Sequence, residues 1–230
     1  MASNRRAFLT ATATATATAA GALAVVPAQA TAGTGRPPAP APATARAALD
    51  ELLAGNRRYA AGRPRRPQDV VGRRRVLAGG QHPFAAVLGC IDSRVVPELV
   101  FDQGLGDLLC IRTAGQVLDE AVLGSLQYGV EELRVPLVVV LGHERCGAVA
   151  ATLGRLRTGA AVPGHLELLV EEISPAARRT RALPGDWAEH TLRAHTAWVR
   201  DAIRADPAFA GATVVAARFD LDSGLVALLP

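Results

Sequence analysis

Residues 84–94 read FAAVLGCIDSR. An unbroken apolar run ends on Cys90, and an aspartate, a serine and an arginine follow almost at once. Two other runs share this texture, DLLCIRT at 107–113 and PLVVVLGH at 136–143. Short, continuously apolar segments suit strands buried on both faces of a parallel sheet, where no polar alternation is needed. Helical patterns lie between and after them, at residues 119–134, 146–157, 164–181 and 187–206. Strands alternating with helices predict an α/β fold with a mainly parallel central sheet of about four to five strands flanked by helices. ATVVAARFD (212–220) and SGLVALL (223–229) predict two closing strands around a turn at 222–224. Upstream, ARAALDELLAGNRRYAAG (45–62) predicts a helix stopping at Gly62. DVVGRRRVLAGG (69–80) predicts a second short helix, N-capped by Asp69 and closed by glycines. Together they form an N-terminal helical arm.

In an open α/β sheet, functional groups gather at the carboxyl ends of strands. Cys90 ends the first predicted strand, His143 ends the third, and Cys146 opens the helix after it. Two strand ends thus bring two thiols and an imidazole to one edge of the sheet. Zinc takes such ligands in a tetrahedron; structural sites fill all four positions, and catalytic sites keep one for water. Asp92 lies two residues past Cys90 and is in range of either an ion or its bound water. Arg94 follows two residues on, and a guanidinium pairs a carboxylate bidentately and keeps it ionised. Two arrangements are open: Asp92 accepts a proton from the bound water, or it becomes the fourth ligand and shuts the site.

The pattern C-x-D-S-R followed by H-x-x-C resembles the β-class carbonic anhydrases. VVPELVFDQGLGDLLCIRTAG, LGSLQYGVEELRVPLVVVLGH and RFDLDSGLV also resemble that family, so the likeness runs from about residue 45 to 229. The resemblance implies reversible hydration of carbon dioxide to bicarbonate and a proton. It implies one Zn2+ per subunit held by Cys90, His143 and Cys146, with Asp92 and Arg94 as the catalytic dyad. It also implies a substrate pocket. Gln81 stands where the family has a glutamine that donates to substrate, and Tyr128 where an aromatic lines the pocket. Leu109 replaces a phenylalanine of plant-type members, and Ala114 and Gly147 complete the set. TAGQV stands where many bacterial members read A-G-N, so Gln116 departs from the pattern. A subgroup closes its site with the aspartate and binds regulatory bicarbonate near a tryptophan; Val87 occupies that place here, which favours the open, water-bound form. The family builds its pocket across a dimer interface, which implies a homodimer or a higher even oligomer.

The chain has 230 residues, half of them hydrophobic, enough for one α/β domain with a real core. Every one of its 25 basic residues is arginine, and Arg5 and Arg6 supply two of the net +4 charges. So near-neutral a remainder gives no reason to invoke nucleic acid or an anionic membrane. Residues 1–30 carry paired arginines, a modest apolar stretch and AQA at 28–30, the pattern of an export signal peptide. They resemble a twin-arginine leader, with Asn4 where Ser or Thr is more usual; an ordinary secretory leader and an uncleaved anchor are the alternatives. Export of a folded protein lets the metal load in the cytoplasm. Residues 31–45 form a Pro/Ala-rich linker, which leaves one catalytic domain at 46–230. No later stretch reaches the roughly twenty apolar residues that span a bilayer, so no stable membrane anchor is expected.

Three cysteines are few and odd for an exported protein, which speaks against a disulfide framework. A Cys90–Cys146 disulfide would leave His143 and the dyad unexplained, and Cys110 inside a strand reads as a packed thiol. His82, His165, His190 and His195 read as surface or helix histidines, each a candidate proton shuttle. Two rivals use the same site: a hydrolase of carbon disulfide or carbonyl sulfide, and a zinc- or bicarbonate-binding protein without turnover. The presence of both Asp92 and Arg94 stands against the second.

Overall fold

A computed structural model describes residues 42–65 and 70–230. Strands β1 (Ala85–Cys90) and β3 (Leu137–His143) are buried at every position. They lie side by side and parallel, Val87 level with Val139 and Gly89 with Leu141. β2 (Leu108–Thr113) adds in parallel on the far side of β1, and β4 (Thr213–Phe219) on the far side of β3. A short β5 (Val226–Leu228) closes the edge antiparallel to β4, giving the order β2-β1-β3-β4-β5. Because side chains alternate along a strand, the two apolar sets of β1 and β3 enter two different cores. Val87, Val139 and Leu141 pack with Leu52, Phe101 and Phe219 on one side. Ala86, Leu88, Val138 and Val140 pack with Leu126, Val199 and Ile203 on the other.

The helices are α1 (Ala45–Ala60), α2 (Val70–Leu77), α3 (Pro97–Val100), α4 (Glu120–Glu131), α5 (Gly147–Thr158), α6 (Leu166–Thr180) and α7 (Trp187–Ala205). The sheet order and the flanking helices agree with the predicted α/β fold. α3 and two single 3-10 turns, Ala114–Gln116 and Pro207–Phe209, go beyond the sequence reading. Each is too short to show a helical period, and α3 is set by Pro97 at its start, where the missing N–H costs nothing. The linker reading ended at residue 45; α1 already starts there, with the Thr44 hydroxyl accepting from the Ala47 amide at 3.2 Å. The leader, the linker up to residue 41 and the Asp69 cap lie outside the described residues. No helix among the described residues is long and apolar enough to cross a membrane.

One buried side chain fastens α1 to the carboxyl end of the sheet. Asn56 donates to the Val100 carbonyl (3.1 Å) and the Gly224 carbonyl (2.8 Å), and accepts from the Val226 amide (2.8 Å). Close by, Gly55 lets α1 lie directly on the turn after α3. A Cβ there would stand 1.8 Å from the Phe101 carbonyl oxygen, which is backbone and has nowhere to go. Gly55→Ala is therefore expected to destabilise the fold by about 3 kcal/mol or more, despite the better helix propensity of alanine. Urea unfolding of the variant against wild type reads this directly; an unchanged or raised midpoint would contradict the close approach.

Candidate metal centre

The parallel pairing of β1 and β3 sets two strand ends next to each other, and each end carries a metal-ligating side chain. Cys90 is the last residue of β1 and His143 the last of β3. Cys146 is the N-cap of α5, so the chain turns from strand to helix within the ligand loop. Arg145, at φ 49°, makes that turn. The ligand atoms of the three residues lie within 4.8 Å of one another, and all three residues are buried.

This donor set fits zinc. The two sulfurs are 3.9 Å apart; thiolates about 2.3 Å from a tetrahedral zinc stand about 3.8 Å from each other. His143 Nδ1 lies 2.8 Å from the Glu144 carbonyl oxygen. A carbonyl only accepts, so Nδ1 carries the proton and Nε2 keeps its lone pair. That Nε2 is buried with no hydrogen-bond partner among the described residues. A buried acceptor without a partner is costly, and a cation beside it removes the cost. Of the two thiols, Cys90 is the readier thiolate, with its pKa drawn down. The Cys146 thiol donating to it is the main cause, and the Gly115 amide, 3.3 Å from the sulfur, adds to it. The same contact and burial push Cys146 up, and the amides of Ala148 and Val149 at the start of α5 pull the other way.

Asp92 and Arg94 form a closed pair. Arg94 donates through Nη2 to Oδ2 (2.7 Å), through Nε to Oδ1 (2.9 Å) and through its own amide to Oδ1 (3.0 Å). The Arg94 contact holds the Asp92 carboxyl well below the usual carboxylate range. Oδ2 is 3.9 Å from His143 Nε2, so the carboxylate borders the three-ligand cluster. Arg112 fixes the loop from below, donating to the carbonyls of Cys90 (2.8 Å) and Asp92 (2.7 Å).

A second group of residues, given no role in the sequence reading, clamps the ligand loop. The Glu144 amide donates to the Phe219 carbonyl at 3.1 Å, and its carboxylate accepts from the Leu221 amide at 3.0 Å and pairs with Arg218. Arg145 holds Asp222 with two bonds of 2.9 and 2.7 Å. The turn that carries Asp222 is organised by Asp220, which accepts from the Ser223 amide (2.8 Å), the Ser223 hydroxyl (2.9 Å) and the Asp222 amide (3.1 Å). The signal for this clamp was the stretch RFDLDSGLV, with its aspartates two apart before Ser-Gly, a turn-forming pattern.

The structure thus brings Cys90, Asp92, Arg94, His143 and Cys146 together. Ala114 and Gly147 adjoin them in the chain: Ala114 precedes the amide that reaches Cys90, and Gly147 is the exposed first residue of α5. The remaining pocket residues lie elsewhere in the protomer. Gln81 is exposed and lines an open hollow of about 600 Å³ with Leu77 and Leu105, away from the cluster. Tyr128 is 56% exposed on α4. Leu109 lies level with Ala86, early in β2, and packs toward Gly129 of α4. Of the histidines, His195 lies on α7 as read but is fully buried.

A family model described as carbonic anhydrase matches residues 85–226. Carbonic anhydrase 2 of Mycobacterium tuberculosis (strain CDC 1551 / Oshkosh) is 51% identical over 130 residues, which are 56% of this chain and 63% of the relative. The match therefore spans less than two thirds of that relative's length. Among solved structures, the β-carbonic anhydrase CafA of Aspergillus fumigatus superposes with a TM-score of 0.59 at 26% identity, over 79% of this chain and 90% of that one. The tetrameric β-carbonic anhydrases of Sordaria macrospora superpose at 0.60, with 22% identity over 79% and 96% of the two chains, a likeness of fold.

The clamp has a pH signature. Hydrogen bonds from Ser223 and the Arg218 charge hold the Asp220 carboxyl well below its ordinary value. A carboxyl with a depressed folded-state pKa adds stability above its unfolded pKa and loses it as pH falls toward the folded one. Wild type is therefore expected to exceed Asp220→Asn in urea midpoint near neutrality, and the gap should hold down to about pH 4, the unfolded carboxyl range, and close only as pH falls further toward the folded value. A gap that does not change with pH would mean that the turn does not use the charge.

Proposed function

This chain belongs to the carbonic anhydrase family, and on that premise we propose that it hydrates carbon dioxide reversibly to bicarbonate and a proton, with one Zn2+ per subunit on Cys90, His143 and Cys146. The observation that carries the reading is the Nε2 of His143, without a hydrogen-bond partner among the described residues, beside two sulfurs at tetrahedral spacing, with an arginine-held carboxylate next to them. Zinc, when bound, acts as a Lewis acid that brings the pKa of its water to about 7 and supplies a nucleophile at neutral pH.

The remaining work falls to the chain. Asp92 accepts a hydrogen bond from the nucleophile and so fixes the direction of its reactive lone pair. Arg94 keeps that carboxylate charged and in place. Because Arg94 engages both Asp92 oxygens, the open form is favoured over the form with Asp92 as fourth ligand. Val117, Val149 and Ile173 pack around the two cysteines and exclude water from that side of the cluster. Stopped-flow carbon dioxide hydration with zinc analysis tests this. Zinc-loaded wild type is expected to turn over, and Asp92→Ala to lose roughly 10²-fold in kcat/KM while keeping its zinc. Zinc without turnover would support a binding protein, and turnover of carbon disulfide or carbonyl sulfide alone would support the hydrolase.

The same reading has Gln81 and Tyr128 serve the pocket of a second copy, in a homodimer or a higher even oligomer. Their exposure on the single protomer supports this, as do the exposed Val70, Val71, Val76 and Leu105 in the same region of the chain as Gln81. The reading also places the working protein outside the cytoplasm, exported by the twin-arginine route. Arg5, Arg6 and the small residues at 28–30 support that route. For the interface there is a sharp test. Gln81→Ala and Cys90→Ser are each expected to be nearly inactive alone. Co-expressed, half the dimers are mixed, and each mixed dimer has one intact site, so about a quarter of wild-type activity should return. Activity no higher than in the separate variants would put Gln81 in its own protomer's site or outside any site.

A further inference from the structure

His195 is fully buried on α7, eighty residues along the chain from the turn it touches. Its Nε2 lies 3.0 Å from the Gly115 carbonyl oxygen, and its Nδ1 has no partner among the described residues. The carbonyl accepts, so Nε2 carries the proton. Burial holds the ring neutral by drawing its pKa down to about 4, against the Gly115 bond and with the Arg179 charge. The donor is therefore constant across the neutral range. Trp198 stacks on the ring at 6.1 Å between centroids and 20° between planes, which fixes its orientation. An imidazole with one nitrogen left unpaired is a poor choice for mere filling, since an apolar side chain would avoid that cost.

What His195 holds is an unusual turn. Gly115 (φ 70°, ψ 22°) and Gln116 (φ 47°) are left-handed in succession, and Gln116 has a side chain that disfavours that conformation. Two neighbouring residues of α7 grip these two residues: His195 takes the Gly115 carbonyl, and Thr196 accepts from Gln116 Nε2 at 3.0 Å. Ile173 and Ala148 close the other side, where a Cβ on Gly115 would find them at 2.9 and 3.0 Å. The product of this geometry is one amide, the Gly115 N–H, delivered to Cys90 Sγ.

We infer that His195 is a positioning residue of the metal centre: by holding the Gly115 carbonyl it keeps the Gly115 amide on the Cys90 sulfur and so sets how strongly that sulfur donates to the metal. An N–H bond to a thiolate stabilises its lone pairs, and groups that brace a ligand in this way tune the site and its affinity. The inference rests on Cys90, His143 and Cys146 forming a metal site.

The test uses the full chain loaded with Co2+ in place of zinc, read by the thiolate-to-cobalt charge-transfer band and by chelator competition. His195→Phe keeps a ring of similar size and removes the donor. It should move the band to lower energy and weaken Co2+ binding about 10-fold. His195→Gln places an amide N–H near the old Nε2 and should restore both. A wild-type band and affinity in His195→Phe would overturn the inference, as would His195→Gln behaving like His195→Phe. Should His195→Phe fail to fold, His195→Asn replaces it: its shorter amide falls short of Gly115, so it should show the shifted band where His195→Gln does not, and equal bands in the two would overturn the inference. Wild type that takes up no Co2+ would overturn the metal-site reading itself. A normal wild-type band with an unresponsive His195→Phe would overturn the positioning role alone.

Discussion

The register between β1 and β3 decides whether a metal site exists. In a strand with one wet face, hydrophobic alternation fixes the register, because a slip of one residue turns the apolar face outward. Here both faces are apolar, and a slip would exchange one buried set for another. Alternation alone therefore cannot hold Cys90 beside His143. The strand ends supply what the pattern lacks. Ile91 donates to Thr113 at 3.1 Å and Arg112 bonds two carbonyls of the Cys90 loop, tying the end of β1 to β2. Glu144 donates to Phe219 at 3.1 Å, tying the end of β3 to β4. Between the two ligand loops Arg94 Nη2 donates to the Arg145 carbonyl at 3.4 Å. Polar contacts at the carboxyl edge thus anchor each ligand-bearing strand end to its outer neighbour, and one joins the two ligand loops directly.

The charges around the ligand loop do the same work at longer range. Arg218, on β4, reaches Glu144 of the loop, Asp220 of the turn and Glu189 of α7. Arg145 ties the loop to Asp222. The exposed Arg145–Asp222 pair adds little, and the largely buried Arg218 pairs give back much of their attraction as desolvation, so stability alone does not explain so dense a set. Their common effect is geometric. They fix Glu144, whose carbonyl orients His143, and Arg145, whose carbonyl lies 3.4 Å from Arg94 Nη2. Both members of the candidate chemistry, the imidazole and the dyad, are thereby set by the same short loop.

Much of this was legible in the sequence where the cause is local. The buried strands announce themselves as apolar runs, and Cys90, Asp92 and Arg94 lie so close in the chain that their pairing needs only a strand end. His143 and Cys146 follow from the strand-to-helix turn. The clamp of Glu144 by Leu221, and the grip of His195 on Gly115, join residues far apart, and no spacing rule connects them. α3 and the Gly115 turn are too short to carry a period. Gln81 and Tyr128 fail to join the cluster for another reason. On the proposed reading their wall would belong to a second copy, and a single chain shows only that both side chains are exposed.

The cysteines show how position, and not residue type, selects a ligand. Cys110 and Cys90 sit on neighbouring parallel strands, but Cys110 pairs with Val87 in mid-strand while Cys90 comes last. In mid-strand, burial pushes the Cys110 thiol far up, with the Glu98 charge adding to it and the Arg112 charge opposing it less strongly. At the strand end the turn after β2 lays the Gly115 amide against the Cys90 side chain. There the Cys90 sulfur meets a second thiol, an imidazole and the Gly115 amide, and its pKa moves the opposite way. The same residue is a packed thiol at one position and a candidate metal ligand at the other. The difference follows from where the sheet ends.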